Sequence, residues 1–181
     1  MKKIVLKILI FIIICVSSYA QQWDWTIISN TLNNQPTFSY GSGGHSLVTD
    51  NSGNIYLGGN LSDSISLGDT IIYSKVGETE LLAIKYSPLG SPLWIKHTGG
   101  NDNGNHVSGI GLDDFGNTYI TGITNDTCYF DTILTNSNGL NPSFFIAKIN
   151  TEGEFEWAKV AGRNLLWAYS IGNSITISEQ N

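Results

Sequence analysis

The residues best suited to chemistry sit in one short run, Asp102-Asn103-Gly104-Asn105-His106, which puts a carboxylate, two amides and an imidazole within five positions. Asp102, Asn103, Asn105 and His106 are therefore the candidate ligand contacts, toward a sugar or a metal ion. A solvated Gly/Asn turn explains the same composition. A hard cation such as calcium takes about six to eight oxygens, more than this run supplies alone. Asp113-Asp114-Phe115-Gly116-Asn117 superficially suggests a calcium loop, but it lacks the alternating acids and the closing Glu of an EF-hand. The three histidines, His45, His97 and His106, show no His-x-His or His-Glu-x-x-His spacing, which argues against zinc. No Gly-x-Ser-x-Gly elbow occurs. Fifteen acids leave room for a carboxylate pair of the glycosidase kind, yet nothing selects one. No catalytic residue, no metal site and no cofactor is expected.

Composition narrows the class. Nine Lys and Arg against fifteen acids exclude a basic nucleic-acid binder. Five Trp, 11% aromatic residues and only 13% charged residues exclude a charge-rich disordered chain and a coiled coil. Twenty glycines imply many tight turns.

The N-terminus reads as an address. Lys2, Lys3 and Lys7 precede the apolar run Ile8–Val16, and Ser18 and Ala20 form the small-x-small pattern of a signal-peptidase site. Residues 1–20 are thus expected to be a signal peptide cleaved after Ala20, making the protein secreted or cell-surface. The apolar run is too short for a span, which needs about 20 residues, so no membrane span is expected after cleavage. Processing removes three of the nine cations and Cys15, leaving Cys128 without a disulfide partner in the chain. Cys128 reads as a small half-buried hydrophobe in a strand.

The chain repeats itself every 63 residues. Asp50, Gly53, Asn54, Tyr56, Gly59, Lys85, Gly90, Trp94, Lys96 and Gly99 recur as Asp113, Gly116, Asn117, Tyr119, Gly122, Lys148, Gly153, Trp157, Lys159 and Gly162. Between 46–99 and 109–162, 12 of 54 positions are identical, and they fall on turn and aromatic positions. In the middle, a one-residue slip aligns Asp69-Thr70-Ile71 with Asp131-Thr132-Ile133. Asp50, Gly53 and Asn54, with Asp113, Gly116 and Asn117, read as structural hairpin turns, Asp capping its own backbone and Gly taking positive φ. Trp94 and Trp157, present in both units, read as packing residues rather than sugar platforms.

Each unit predicts four strands: Ser46–Thr49, Asn54–Gly59, Leu81–Ser87 and Leu93–Thr98 in the first, and Gly109–Leu112, Asn117–Gly122, Phe144–Asn150 and Phe155–Val160 in the second. Segments of about twenty residues interrupt each unit, and Ile65–Leu67 with Thr70–Tyr73 predict a small extra hairpin. These inserts are expected to be exposed. They carry Asp63-Ser64-Ile65, Asp69-Thr70-Ile71 and Asp131-Thr132-Ile133, which resemble a short bacterial O-glycosylation signal. Asn60-Leu61-Ser62 and Asn125-Asp126-Thr127 match the N-glycan pattern. No convincing helical period appears in the mature chain.

Four strands per repeated unit predict an all-β fold of β-propeller-type blades. Apolar residues such as Leu47, Ile55, Leu57, Leu81, Ile84 and Trp94 would be buried as blades stack face to face. The pattern Asp-x-x-Gly-Asn-x-Tyr-x-x-Gly, followed by Ala-x-Lys or Ile-Ala-Lys and then Gly-x-x-x-Trp-x-Lys, resembles the bacterial SBBP beta-propeller repeat. The resemblance covers about Trp23 to Gly162. It implies a secreted or surface-exposed protein, commonly exported by type IX secretion, with no general catalytic motif.

The expected organisation is 1–20 signal peptide, 21–45 the end strand of a preceding blade plus linker, 46–100 blade 1, 101–162 blade 2, and 163–181 a partial third unit or tail. Closed propellers have about 4–8 blades, so this is an incomplete propeller: a truncated chain, an oligomer closing its ring in trans, or a stub. The expected function is a non-catalytic scaffold or binding module for glycan or protein at the cell surface, with self-association through uncovered blade faces. The alternatives are a fragment of a propeller-frame hydrolase or lyase, or a non-functional truncated product.

Overall fold

A computed structural model describes residues 41–75, 78–98, 104–125, 127–136, 142–161 and 170–178. The expected signal peptide, Trp23, Trp25, Asp102, Asn103 and Trp167 lie outside the described residues. Among the described residues there are twelve strands and no helix. The first unit holds β1 (Gly43–Thr49), β2 (Ile55–Ser62), β3 (Ser64–Leu67), β4 (Thr70–Tyr73), β5 (Thr79–Tyr86) and β6 (Pro92–Thr98). The second holds β7 (His106–Leu112), β8 (Thr118–Thr124), β9 (Thr127–Phe130), β10 (Ile133–Asn136), β11 (Ser143–Ile149) and β12 (Phe155–Ala161).

The two units share one plan. Sheet 1 is an antiparallel four-stranded sheet in the order β1-β2-β5-β6, and sheet 2 repeats it as β7-β8-β11-β12. The inserts form the hairpins β3-β4 and β9-β10. Even the irregularities recur: the ladder shifts between Gly44 and Ser46 and again between Val107 and Gly109, and between Lys85 and Tyr86 and again between Lys148 and Ile149. A bulge is a built feature that turns a strand, so its recurrence at a constant 63-residue offset marks one module used twice.

Three sequence expectations change. The first strand of each unit begins three residues earlier than read, with β1 starting at Gly43 and β7 at His106. The second insert also pairs as a hairpin, β9-β10, where the sequence predicts one only in the first insert, and that first hairpin is present as β3-β4. The one-residue slip also disappears: β3 and β4 recur as β9 and β10 at an offset of 63. The reason is the turn. Leu67 pairs Thr70 across Gly68-Asp69, and Phe130 pairs Ile133 across Asp131-Thr132. The first turn residue must enter the left-handed region, and Gly68 (φ 63°) and Asp131 (φ 53°) both do so. Turn geometry, not residue identity, sets the register.

The main hairpin turns share one template. In the five-residue loops starting at Asp50, Ser87, Asp113 and Asn150, the first residue's amide donates to the fifth residue's carbonyl, and the fourth residue's amide donates back to the first carbonyl, at 2.8–3.1 Å. The fourth residue is always Gly, with φ between 80° and 89°. The first side chain caps the loop from within, as Asp50 does for the amides of Ser52 and Asn54, both at 2.9 Å.

Strand alternation gives each sheet two faces. Tyr56, Leu81, Ala83 and Trp94 share one face of sheet 1, and Ile55, Leu57, Ile84 and Ile95 the other. The first face packs on sheet 2, forming one core with Val107, Ile110, Ile120, Phe145, Ala147 and Ile149. The apolar residues named from the sequence therefore lie on opposite faces. Leu81 and Trp94 line the seam between the sheets, whereas Ile55, Leu57 and Ile84 belong to a second core with the β3-β4 hairpin. Leu47 is 61% exposed, a correction to its expected burial, because it lies on the face that sheet 2 does not cover.

Candidate functional site

The repeated polar residues converge. In the first unit Asp50 Oδ2 accepts from Asn54 Nδ2 at 2.8 Å and from the Tyr56 hydroxyl at 3.2 Å, and Lys85 Nζ lies 5.0 Å above the Tyr56 ring. Trp94 meets the same ring edge-on, at 6.0 Å between centroids. The second unit repeats the set as Asp113, Asn117, Tyr119, Lys148 and Trp157, with the same 2.8 and 3.2 Å hydrogen bonds and a 6.1 Å edge-on pair. Burial pushes both aspartates up, but hydrogen bonds from the Asn side chain, the loop amides and the Tyr hydroxyl outweigh it and hold both carboxyls below their ordinary value. These carboxylates are occupied within their own turns. The recurring motif is one structural knot, made twice.

Of the candidates between the two units, Asn105 and His106 are described. Asn105 is fully buried. Its Nδ2 donates to the Thr79 carbonyl at 3.0 Å and its Oδ1 accepts from the Asn125 amide at 2.8 Å, which ties β5 to the strand connection after β8. That amide is committed to structure. His106 is half-buried, with Nδ1 3.3 Å from the Gly104 carbonyl. Burial pushes its pKa down, the Gly104 hydrogen bond acts upward, and the nearby His45 adds to the lowering.

Sequence reading missed His45 as a neighbour. Its ring centroid lies 5.5 Å from that of His106, across the seam between β1 and β7. His45 Nε2 sits 2.8 Å from Asn60 Oδ1, while Asn60 Nδ2 donates to the Gly41 carbonyl at 2.9 Å. Because the Asn60 amide is oriented by Gly41, its oxygen faces His45, and Nε2 carries the proton. The available signal was the bulge: His45 is the extra residue of β1 that turns toward the second unit.

A second polar cluster also escaped sequence reading. Glu80, 4% exposed, accepts from the Lys75 amide at 3.0 Å and lies 2.6 Å from His97 Nδ1. Burial pushes the carboxyl up, yet the His97 and Lys75 hydrogen bonds leave it below its ordinary value. Nearby, Cys128 is completely buried. Burial raises its pKa against hydrogen bonds from Thr98 and Thr124, so the thiol stays protonated and is no nucleophile at neutral pH.

Among the described residues, the candidate groups His106 and Asp113 do not meet. His106 opens β7 and Asp113 follows its last residue, a separation of roughly 20 Å along an extended strand. Among the described residues, no group of three or more His, Cys, Asp or Glu is placed to hold a metal ion. Trp94 serves as packing: its indole rests on Gly153 in the closing turn of the second unit. Of the glycosylation-like triplets, Thr70 and Thr132 are exposed, whereas Ser64 is 1% exposed, against the expectation for the inserts. No family model matches the chain, and no curated protein matches it.

Proposed function

We propose that the chain is an exported, non-catalytic β-propeller-repeat protein that presents rigid blades as a scaffold or binding module for glycan or protein at the cell surface. The observation that carries this reading is the pair of like-built four-stranded sheets stacked face to face at a 63-residue offset. Blades of a propeller pack in this way, each sheet covering its neighbour. The recurring Asp-x-x-Gly-Asn-x-Tyr and Trp-x-Lys residues, which resemble the SBBP repeat, add the secreted context, as does the leader-like segment 1–20. Residues 170–178 fit a third unit. A Cβ at Gly109 would meet Ser174 Cα at 2.9 Å, so this segment crosses sheet 2 where β7 crosses sheet 1.

Two observations favour binding over catalysis. His106 and Asp113 lie at opposite ends of β7, and the amide of Asn105 is consumed by backbone partners. The test is a glycan array together with a panel of chromogenic glycosides and polysaccharides. Retention on a defined glycan without turnover is expected. Cleavage of any substrate, lost on His106→Ala, would overturn the non-catalytic reading.

A further inference from the structure

His45 and His106 form a pair that the 63-residue repeat does not call for. At that offset His45 corresponds to Ser108, its partner Asn60 to Ile123, and His106 to Gly43. The residues that the two units share build turns and packing, so three polar residues found in one place alone answer a different demand. They meet where the two sheets join. There the Ile110 amide of β7 donates to Ser46 Oγ of β1 at 3.2 Å. The ladder shift between Gly44 and Ser46 leaves His45 as the extra residue of β1, and a bulge re-aims the side chain it carries. The two rings come to 5.5 Å between centroids, with their planes tilted by 55°.

One nitrogen of each ring is already committed. Asn60 Oδ1 and the Gly104 carbonyl oxygen only accept hydrogen bonds. His45 therefore carries its proton on Nε2, 2.8 Å from Asn60 Oδ1, and His106 on Nδ1, 3.3 Å from the Gly104 oxygen. That leaves a lone pair on His45 Nδ1 and another on His106 Nε2, and no group among the described residues donates to either. Metal-ligating histidines are held in this manner, the second ring N–H donating to a carbonyl that fixes tautomer and orientation. The spacing fits as well. A metal–nitrogen bond of about 2.0–2.1 Å puts a ring centre about 3.2 Å from the ion, so two rings at ligand angles of about 90–120° stand about 4.5–5.5 Å apart. His45 is exposed and His106 half-buried, so an ion reaches the pair from solvent.

We propose that His45 Nδ1 and His106 Nε2 together bind one divalent late first-row metal ion, which bridges β1 of the first unit to β7 of the second. Imidazole suits copper, nickel and zinc, and affinity along the series is highest for Cu²⁺. Two protein nitrogens leave the remaining positions to water. The site is open, unlike the closed four-ligand site of structural zinc. It needs neither glycan binding nor propeller closure.

The test is calorimetric titration of the full chain with Cu²⁺, Ni²⁺ and Zn²⁺ after chelator treatment, on protein purified without a polyhistidine tag. One ion per chain is expected, Cu²⁺ binding tightest. His45→Gln alters an exposed side chain, and His106→Gln removes the second ligand; thermal melts without metal confirm that both fold. Each is expected to weaken Cu²⁺ binding by more than about tenfold, while His97→Gln, at the Glu80 cluster, leaves it unchanged. Electron paramagnetic resonance of the Cu²⁺ complex should show two imidazole nitrogens in the wild type and one in His45→Gln. A wild type that binds Cu²⁺ no more tightly than His45→Gln, a spectrum with a single imidazole nitrogen in the wild type, or binding lost on His97→Gln in a folded chain would each overturn the proposal.

Discussion

The Trp94 indole lies directly on Gly153, so that an added Cβ at residue 153 would sit 2.8 Å from Trp94 Cγ. This contact joins the last strand of the first sheet to the closing turn of the second. At the described seam, the first unit's Trp packs on the second unit's turn.

Gly153→Ala is expected to destabilise the protein by about 2–3 kcal/mol, combining positive-φ strain with displacement of the indole. Gly68 also has positive φ, but an added Cβ there meets nothing within 4 Å. Gly68→Ala should cost only about 1 kcal/mol. Chemical denaturation of both variants checks the difference, and equal losses would mean that Trp94 is not held at this seam.

Asp113 ties the acid sensitivity of the fold to its turns. Its carboxyl is held below its ordinary value in the folded chain. Its contribution is therefore present above the unfolded value, about pH 4, and is lost as pH falls through the lower folded value. Asp113→Asn should lower stability at pH 6 and lose less than wild type between pH 5 and pH 3, values chosen to bracket that range. Melting curves at a series of pH values read this directly. Parallel losses in the two proteins would place the acid-labile groups elsewhere.

Asn105→Ala removes a buried amide and strands the Thr79 carbonyl and the Asn125 amide. A cost of about 2–4 kcal/mol is expected from two orphaned backbone groups. A ligand-contact role would instead leave the denaturation midpoint unchanged and weaken binding.

The 63-residue repeat was legible because its residues answer geometric demands that few side chains meet. Asp50 must cap, Gly53 must take positive φ, and Tyr56 must reach back to the Asp50 carboxylate. The insert register was not legible, because the left-handed turn position is filled by Gly68 in one unit and Asp131 in the other, and the identical Asp-Thr-Ile triplets drew the alignment one residue aside. Nor could strand alternation say which face of sheet 1 would be covered. Leu47 and Ile110 read alike in sequence and differ only in whether another sheet lies on top. Asn105 looked like a ligand because Asn is usually exposed. Its burial depends on two backbone groups that are distant in the chain.

The account turns on that difference between Leu47 and Ile110, 61% and 6% exposed at equivalent positions. The direct measurement is equilibrium unfolding of Leu47→Ala and Ile110→Ala at high dilution. Ile110→Ala should cost about 2–4 kcal/mol, as a large-to-small change in a packed core, and Leu47→Ala less than about 0.5 kcal/mol, as a surface change. Equal costs at the two positions would contradict a single seam between two like sheets.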